Sequence, residues 1–278
     1  MLSINPKDLE IPQLHRYLLG AIGPRPIAFA STIDADGIPN LSPFSFFNVF
    51  SANPPIMVFS PARSGRTGAT KNTLDNVKNV KEVVINVVNY DIVQQMSLAS
   101  SPYDASIDEF VKAGLTPVAS ELIKPFRVKE SPVQFECKVN EIIELGQNGG
   151  AGNLVICEVV KIHINEDVLD ANGMIDQHKI DLVSRMGGNW YCRADKNSMF
   201  EIQKPITTIG IGVDQIPTEI RNSTILTGND LGLLGSVEAI PTQEEVAAFD
   251  ALNGESHQIA KGLLAKNEVL EAWKTLLK

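Results

Sequence analysis

The sequence is poor in the residues that mark several common kinds of chemistry. Its 278 residues hold only three cysteines, Cys137, Cys157 and Cys192, with no CxxC pair. So scattered and odd a set argues against a disulfide scaffold. Cys137 and Cys157 fall in apolar, strand-like runs and read as buried free thiols of a reducing cytoplasm. The four histidines (His15, His163, His178, His257) form no HxxxH, HExxH or Cys/His cluster, so no metal site is expected. There is no GxSxG, which removes the α/β-hydrolase option. Gly210-Ile211-Gly212 lacks the third glycine of a dinucleotide fingerprint, so a nicotinamide nucleotide would bind transiently, without a Rossmann unit. Net charge is −9 and no basic run stands out, which speaks against nucleic acid or an anionic membrane as partner. No apolar run approaches the roughly 20 residues that cross a bilayer. The opening MLSINPKDLE lacks the basic start and apolar core of a signal peptide, and a cytoplasmic protein is expected.

Aromatic residues are also scarce, at 6% of the chain, yet four of its eleven phenylalanines crowd into Asn40–Pro55. There Phe44, Phe46, Phe47 and Phe50 stand among Asn40, Ser42, Ser45 and Asn48, with Pro43 inside and Pro54-Pro55 behind. The prolines disfavour helix, and alternation puts Phe44 and Phe46 on one face of an extended segment. Flat apolar walls beside hydroxyls and amides suit a planar heterocycle with a polar edge. An ordinary half-buried strand of a β core would show the same pattern.

A second concentration follows at Pro61–Thr73, PARSGRTGATKNT, with Arg63, Arg66 and Lys71, two glycines and no acid. The next residues carry Leu74, Val77 and Val80 at helical spacing, so the loop runs into a helix N-terminus. Unpaired N–H groups and positive partial charge at such an end favour an anion. The Gly/Lys spacing is not that of a Walker motif, and a solvated basic loop is the plain alternative.

The other segments indicate a β architecture. A short helix over Pro12–Leu19 stopped by Gly20, a strand over Pro26–Thr32, and a hairpin turn at Asp36-Gly37 are expected. The second hairpin arm is then the aromatic stretch, followed by strands at Ile56–Ser60 and Glu82–Asn89. Asp91 is expected to cap a helix through Ala99, and Ser106–Ala113 to form another ended by Gly114. Val133–Leu145 and Leu154–Ile164 form a long hairpin across the glycine-rich turn Gly146–Gly152. Asn172-Gly173 marks a turn, and Asp181–Ala194 gives two short strands about Gly187-Gly188. Six or seven short strands with few helices between them point to a barrel. From about Lys204 the pattern turns helical. Thr242 opens a capping box for a helix to about Leu252, and Asn267–Leu277 is amphipathic, with Leu270, Trp273 and Leu277 on one stripe.

The run PRPIAFAST…GIPNLSPFSFFNVFSANPPIMVFS…KNTLDN…EVVINVV, with SRMGGNWY later, resembles the flavin reductase-like, FMN-binding split-barrel family, closest to its flavoredoxin-like branch. The resemblance spans about Pro24–Ala194. It implies a mainly β fold, a six-stranded antiparallel split barrel over residues 1–203 with a mostly helical extension over 204–278. It further implies a homodimer with FMN at the subunit interface and NAD(P)H as transient reductant. Ser31 and Thr32 would lie near the ribityl chain or ring edge. Asn40, Ser42, Phe44, Ser45 and Phe46 would run along the isoalloxazine, with Asn48 touching it or bracing the strand. The phosphate would fall to Arg63, Lys71, Asn72 and Thr73, with Arg66 and Arg25 as secondary candidates. Arg185 and Tyr191 would come from a segment often at the site in this family, from the partner subunit if not from the same one. The GDH-type signature of the better-studied reductases is missing, with Gly152-Asn153 in its place. No side chain is expected to act as a catalytic acid or base, because the flavin carries the chemistry. The implied activity is an NAD(P)H-dependent flavin reductase. The alternative is a flavoredoxin-like electron carrier with bound FMN and no nucleotide turnover of its own.

Overall fold

In the computed structural model, which describes residues 1–250 and 253–278, the chain forms two compact units, Met1–Phe200 and Glu201–Lys278. The first opens with helix α1 (Ile11–Ala21), then strands β1 (Ala28–Ile33), β2 (Pro39–Phe44), β3 (Phe47–Ala52) and β4 (Pro55–Phe59). Helix α2 (Asn72–Val80) and strand β5 (Glu82–Val87) follow, then helices α3 (Val93–Ala99) and α4 (Glu109–Ala113). A small ladder of β6 (Pro117–Val118) and β7 (Arg127–Val128) precedes the long hairpin β8 (Val133–Glu144) and β9 (Asn153–Ile164). A last pair, β10 (Val183–Arg185) and β11 (Tyr191–Arg193), surrounds Gly187-Gly188.

The main sheet is antiparallel, in the order β2-β1-β5-β8-β9-β4-β3. Chain connectivity forces it to roll up. Strands lie about 4.8 Å apart, so the edges of a flat seven-stranded sheet would be about 29 Å apart. The link Ser45-Phe46 between the two edge strands can reach only about 11 Å. The edges therefore meet, and the Phe44 ring of β2 packs on Phe59 of β4 with centroids 5.6 Å apart. The barrel stays split between β2 and β3, where Pro39 and Pro43 withhold ladder donors, a loss tolerated at an edge. This corrects the expectation of six strands. The aromatic stretch does not run through as a single hairpin arm; it breaks at Ser45-Phe46 into two strands with different partners, giving seven.

Ala28, Ala30, Phe44, Met57, Phe59, Ile85, Cys137 and Cys157 fill the interior, and α2 lays Leu74 and Val77 into it. The opposite face of β1 and β2 presents Phe29 and Leu41 to Ile92 and to Met96 and Phe110 of α3 and α4. Thus β1 is buried along its full length, as a strand covered on both faces must be.

Several local boundaries differ from the sequence expectation for identifiable reasons. Helix α1 continues past Gly20 to Ala21 because the Arg25 guanidinium takes the late carbonyls of Leu19 and Ile22. Asp91 caps nothing; it sits in a 3-10 turn, and α3 begins without a side-chain cap. Helix α4 starts at Glu109 because Asp108 takes the cap and accepts the Phe110 N–H.

The second unit contains α5 (Thr218–Arg221), α6 (Gly228–Leu234), α7 (Gln243–Ala247), α8 (Ser256–Leu264) and α9 (Val269–Leu277). Its own core gathers Ile216, Ile220, Leu234, Leu264 and Trp273. The Thr242 capping box forms as expected, but α7 ends at Ala247; Leu252, expected as the helix end, lies outside the described residues. Leu270 is 52% exposed, off the buried stripe that Trp273 defines. Among the described residues no helix is long and apolar enough to cross a membrane.

Candidate functional site

Strand register brings the first group of predicted residues together. On adjacent strands Thr32 faces Asn40, Ser31 faces Leu41 and Ala30 faces Ser42. The N-terminus of α2 is tied to this pair through a buried polar network. The Thr73 hydroxyl donates to Asn40 Oδ1 at 2.7 Å, and the Asn76 amide donates to Thr32 Oγ1 at 3.1 Å. The Asn40 amide donates to Glu109 Oε1 at 2.9 Å, and the Leu41 N–H to Glu109 Oε2 at 3.0 Å. Burial pushes the Glu109 carboxyl up, against the opposing pull of the Leu41 N–H and the Asn40 amide. The hydroxyls of Thr32 and Thr73 are thereby committed inward, leaving Thr73 only its main-chain N–H for a ligand. The Ser31 hydroxyl is buried with no hydrogen-bond partner among the described residues.

The aromatic side chains separate. Phe44 is built into the barrel interior, Phe46 is 42% exposed and meets the edge of His15 at 6.4 Å, and Asn48 turns its side chain to the Val49 N–H. Ser42 and Ser45 are half-buried.

The cationic loop leads directly into α2. Lys71 occupies the N-cap without making a side-chain cap, and Leu74 and Asp75 donate back to its carbonyl. The N–H groups of Asn72 and Thr73 therefore have no intrahelical acceptor and point out of the positive end of the helix. Lys71 is exposed, and no carboxylate pairs with it among the described residues. Arg63 is differently placed. Its guanidinium bonds Glu144 at 3.2 Å and Gln147 at 3.0 Å, while its main chain bonds Ala151 and Gly150 of the β8–β9 turn. Lys78, Gln147 and Arg63 hold the Glu144 carboxyl down to about 2. Glu144 is the acid that loop composition did not show, because it arrives from a strand 81 residues later. At Gly149 a Cβ would stand 2.9 Å from Ser64 O, so the turn can seat against the loop only as glycine.

Arg25, Arg185 and Tyr191 form a separate group. Arg25 and Arg185 exchange main-chain hydrogen bonds at 2.9 and 2.8 Å, and the Arg185 guanidinium lies over the Tyr191 ring at 4.5 Å. Burial and the neighbouring Arg185 charge lower the Arg25 pKa. Its guanidinium is spent on carbonyls of α1 and Met186. Sequence reasoning missed Ser60, whose hydroxyl accepts the Asn153 N–H at 3.0 Å, and with it Asn153, Glu109 and Glu144. Of these only Asn153 carried a signal, as the substitute for the missing GDH signature; its side chain donates to Pro61 O at 2.7 Å and anchors the loop.

Residues 21–181 match the family described as flavin reductase like domain. An uncharacterised protein of Aquifex aeolicus is 35% identical over 188 residues, 68% of this chain and 93% of its own. Nitrilotriacetate monooxygenase component B from Bacillus cereus has the same fold at TM-score 0.68 and 31% identity, over 73% of this chain and 98% of that one. The 2-nitrobenzoate 2-nitroreductase NbaA of Pseudomonas fluorescens aligns at TM-score 0.67 and 26% identity, over 76% of this chain and 100% of that one. A Shewanella frigidimarina protein with the split barrel domain of flavin reductases aligns at TM-score 0.60 and 29% identity, over 71% and 96%.

Proposed function

Since the chain belongs to the flavin reductase-like domain family, we propose that it is an oxidoreductase that binds FMN and accepts a hydride from NAD(P)H. The observation that carries this reading is the uncapped N-terminus of α2, with Lys71 unpaired beside it and the Thr73–Asn40 bond holding it against β1 and β2. Two free N–H groups, a helix dipole and a lysine make a site for a phosphate dianion. Arg63 contributes long-range charge, shared with Glu144. The buried, unpartnered Ser31 hydroxyl and the half-buried Ser42 and Ser45 would meet the polar parts of the flavin, and Phe46 its apolar face.

When bound, FMN supplies the hydride and electron chemistry that no side chain of this protein provides. The protein's own part is to fix the phosphate, orient the cofactor through the β1–β2 hydroxyls and amides, and leave one ring face open to the donor. We place the site at the interface of a homodimer. Val49 and Phe50 on strand β3 and Ile162 on strand β9 are exposed, 52–68% each, a surface suited to a second copy. Arg185 and Tyr191 complete the site from whichever subunit brings them to it. Soluble, cytoplasmic residence fits the free thiols Cys137 and Cys157.

Anaerobic mixing with NADH or NADPH, followed by flavin absorbance, tests the reading. Bleaching by either nucleotide supports it; reduction by neither, with FMN firmly bound, overturns the reductase activity. Lys71→Ala is expected to weaken FMN binding by about 1.5–3 kcal/mol in a fluorescence titration. Unchanged affinity would show that the phosphate lies elsewhere. Glu144→Gln should have the opposite sign. Freed from its carboxylate, Arg63 becomes available to the phosphate, and FMN should bind severalfold more tightly, the more so at low salt.

A further inference from the structure

The long hairpin has two ends. The Glu144–Asn153 end seats the cationic loop; the Val133–Ile164 end lies about 36 Å away along twelve-residue strands. At that far end is a cavity of about 390 Å³ lined by Arg127, Lys129, Ser131, Gln134, His163 and Asn165. We propose that this cavity is a binding site for a small oxyanion, a phosphate ester or a carboxylate, separate from the FMN site.

The lining supplies donors and positive charge and presents no carboxylate of its own. The Arg127 side chain is 16% exposed, and its guanidinium is held by neutral acceptors, Gln134 Oε1 at 2.9 Å and Ala119 O at 3.1 Å. Its nearest carboxylate, Glu136, is 3.9 Å away and fully buried. Glu136 already accepts the Glu121 N–H at 2.8 Å, the Leu122 N–H at 2.7 Å and His163 Nε2 at 2.7 Å. It therefore offsets part of the Arg127 charge and orients His163, leaving Lys129 as the cation of the lining with no carboxylate partner among the described residues. With Glu136 ionised, His163 Nε2 carries the proton, and Nδ1 is 3.8 Å from Glu121, whose carboxylate is occupied by Lys161. Lys129 is exposed and pairs with no carboxylate among the described residues. Gln134 is braced at both ends, by Arg127 and by Ser131 O at 2.8 Å, so the polar wall is preformed. The Arg127 guanidinium keeps two of its five N–H groups beyond those given to Gln134 and Ala119, and with the Lys129 ammonium beside it offers what a small oxyanion needs. The cavity is larger than a bare phosphate and within the size range of small-molecule sites.

The test uses amide chemical shifts of the full-length, isotope-labelled protein. Sodium pyrophosphate, inorganic phosphate and sodium succinate are titrated separately at constant ionic strength, with and without FMN. The expected result is saturable movement of the Lys129, Ile164 and Asn165 amides with at least one anion in the millimolar range, unaltered by FMN. Saturation by a phosphate but not by succinate assigns a phosphate ester, and the converse assigns a carboxylate. Lys129→Glu, an exposed change that should leave the fold intact, is expected to weaken that binding by about tenfold or more. No saturable movement with any of the three overturns the site. So does movement reproduced by sodium chloride, or binding indifferent to Lys129→Glu. Because FMN affinity is read in the same samples, failure here is distinguishable from failure of the flavin assignment.

Discussion

Glu136→Gln is expected to cost about 3–5 kcal/mol of stability, measured by urea unfolding at neutral pH, although it removes no carbon atom. Both carboxylate oxygens of Glu136 are acceptors inside the protein: Oε1 takes the Glu121 N–H and His163 Nε2, and Oε2 takes the Leu122 N–H. An amide must turn its NH2 toward one of these donors, leaving two N–H groups facing each other around a side chain that is itself fully buried. It also withdraws the carboxylate charge that lies 3.9 Å from Arg127. The acid limb of the stability profile provides a second check. Burial by itself would raise the Glu136 pKa, but the Glu121 and Leu122 N–H groups and His163 outweigh it and hold the carboxyl below its ordinary range. With a folded value below the unfolded one, its contribution is complete above the ordinary carboxylate pKa. It is lost as pH falls through the depressed value. The glutamine variant should lack that part of the acid dependence. A variant as stable as the parent at neutral pH would show that the segment around Glu121 is held by other contacts.

Trp273→Ala should be as costly, about 3–5 kcal/mol, but confined to the second unit. Trp273 is fully buried among Ile216, Ile220, Leu234 and Leu264, and its indole N–H donates to Leu234 O at 2.9 Å. Removing it leaves both a cavity and an unpaired carbonyl. Because the chain divides at Phe200–Glu201, each unit having its own core, thermal unfolding followed by circular dichroism should show a helical transition moving to lower temperature. FMN affinity should be retained. The fluorescence offers a convenient control, since the remaining Trp190 is 77% exposed and the native emission should already shift to the red. A fall in FMN affinity together with helix stability would show that the second unit supports the flavin site.

Much of the barrel could be read from residue order because its information is local. Alternation in Val133–Leu145 and Leu154–Ile164 marked the long hairpin to within a residue of its observed limits. Asp36-Gly37 marked the first turn, where Gly37 has φ +88°, and the helical spacing of Leu74 and Val77 marked the side of α2 that is buried. Propensity, periodicity and turn chemistry act over a few residues, so they survive in the one-dimensional record. The aromatic stretch was harder. Its composition gave the right inventory, but composition does not say that the chain changes partner strand at Ser45-Phe46, which sends Phe44 inward and leaves Phe46 partly exposed against His15.

What the sequence determined by itself was the supply of parts: a β-rich chain, a cationic loop opening a helix, and a family pattern long enough to name. Only the tertiary structure decided how the charges are spent. Glu144 reaches Arg63 across 81 residues, Glu109 reaches Asn40 across 69, and Glu136 is pinned by the main chain of Glu121 and Leu122. The physical reason is that an ion pair or buried hydrogen bond depends on separation in space and on the exclusion of water. Strand register sets both, and neither leaves a trace in local residue order.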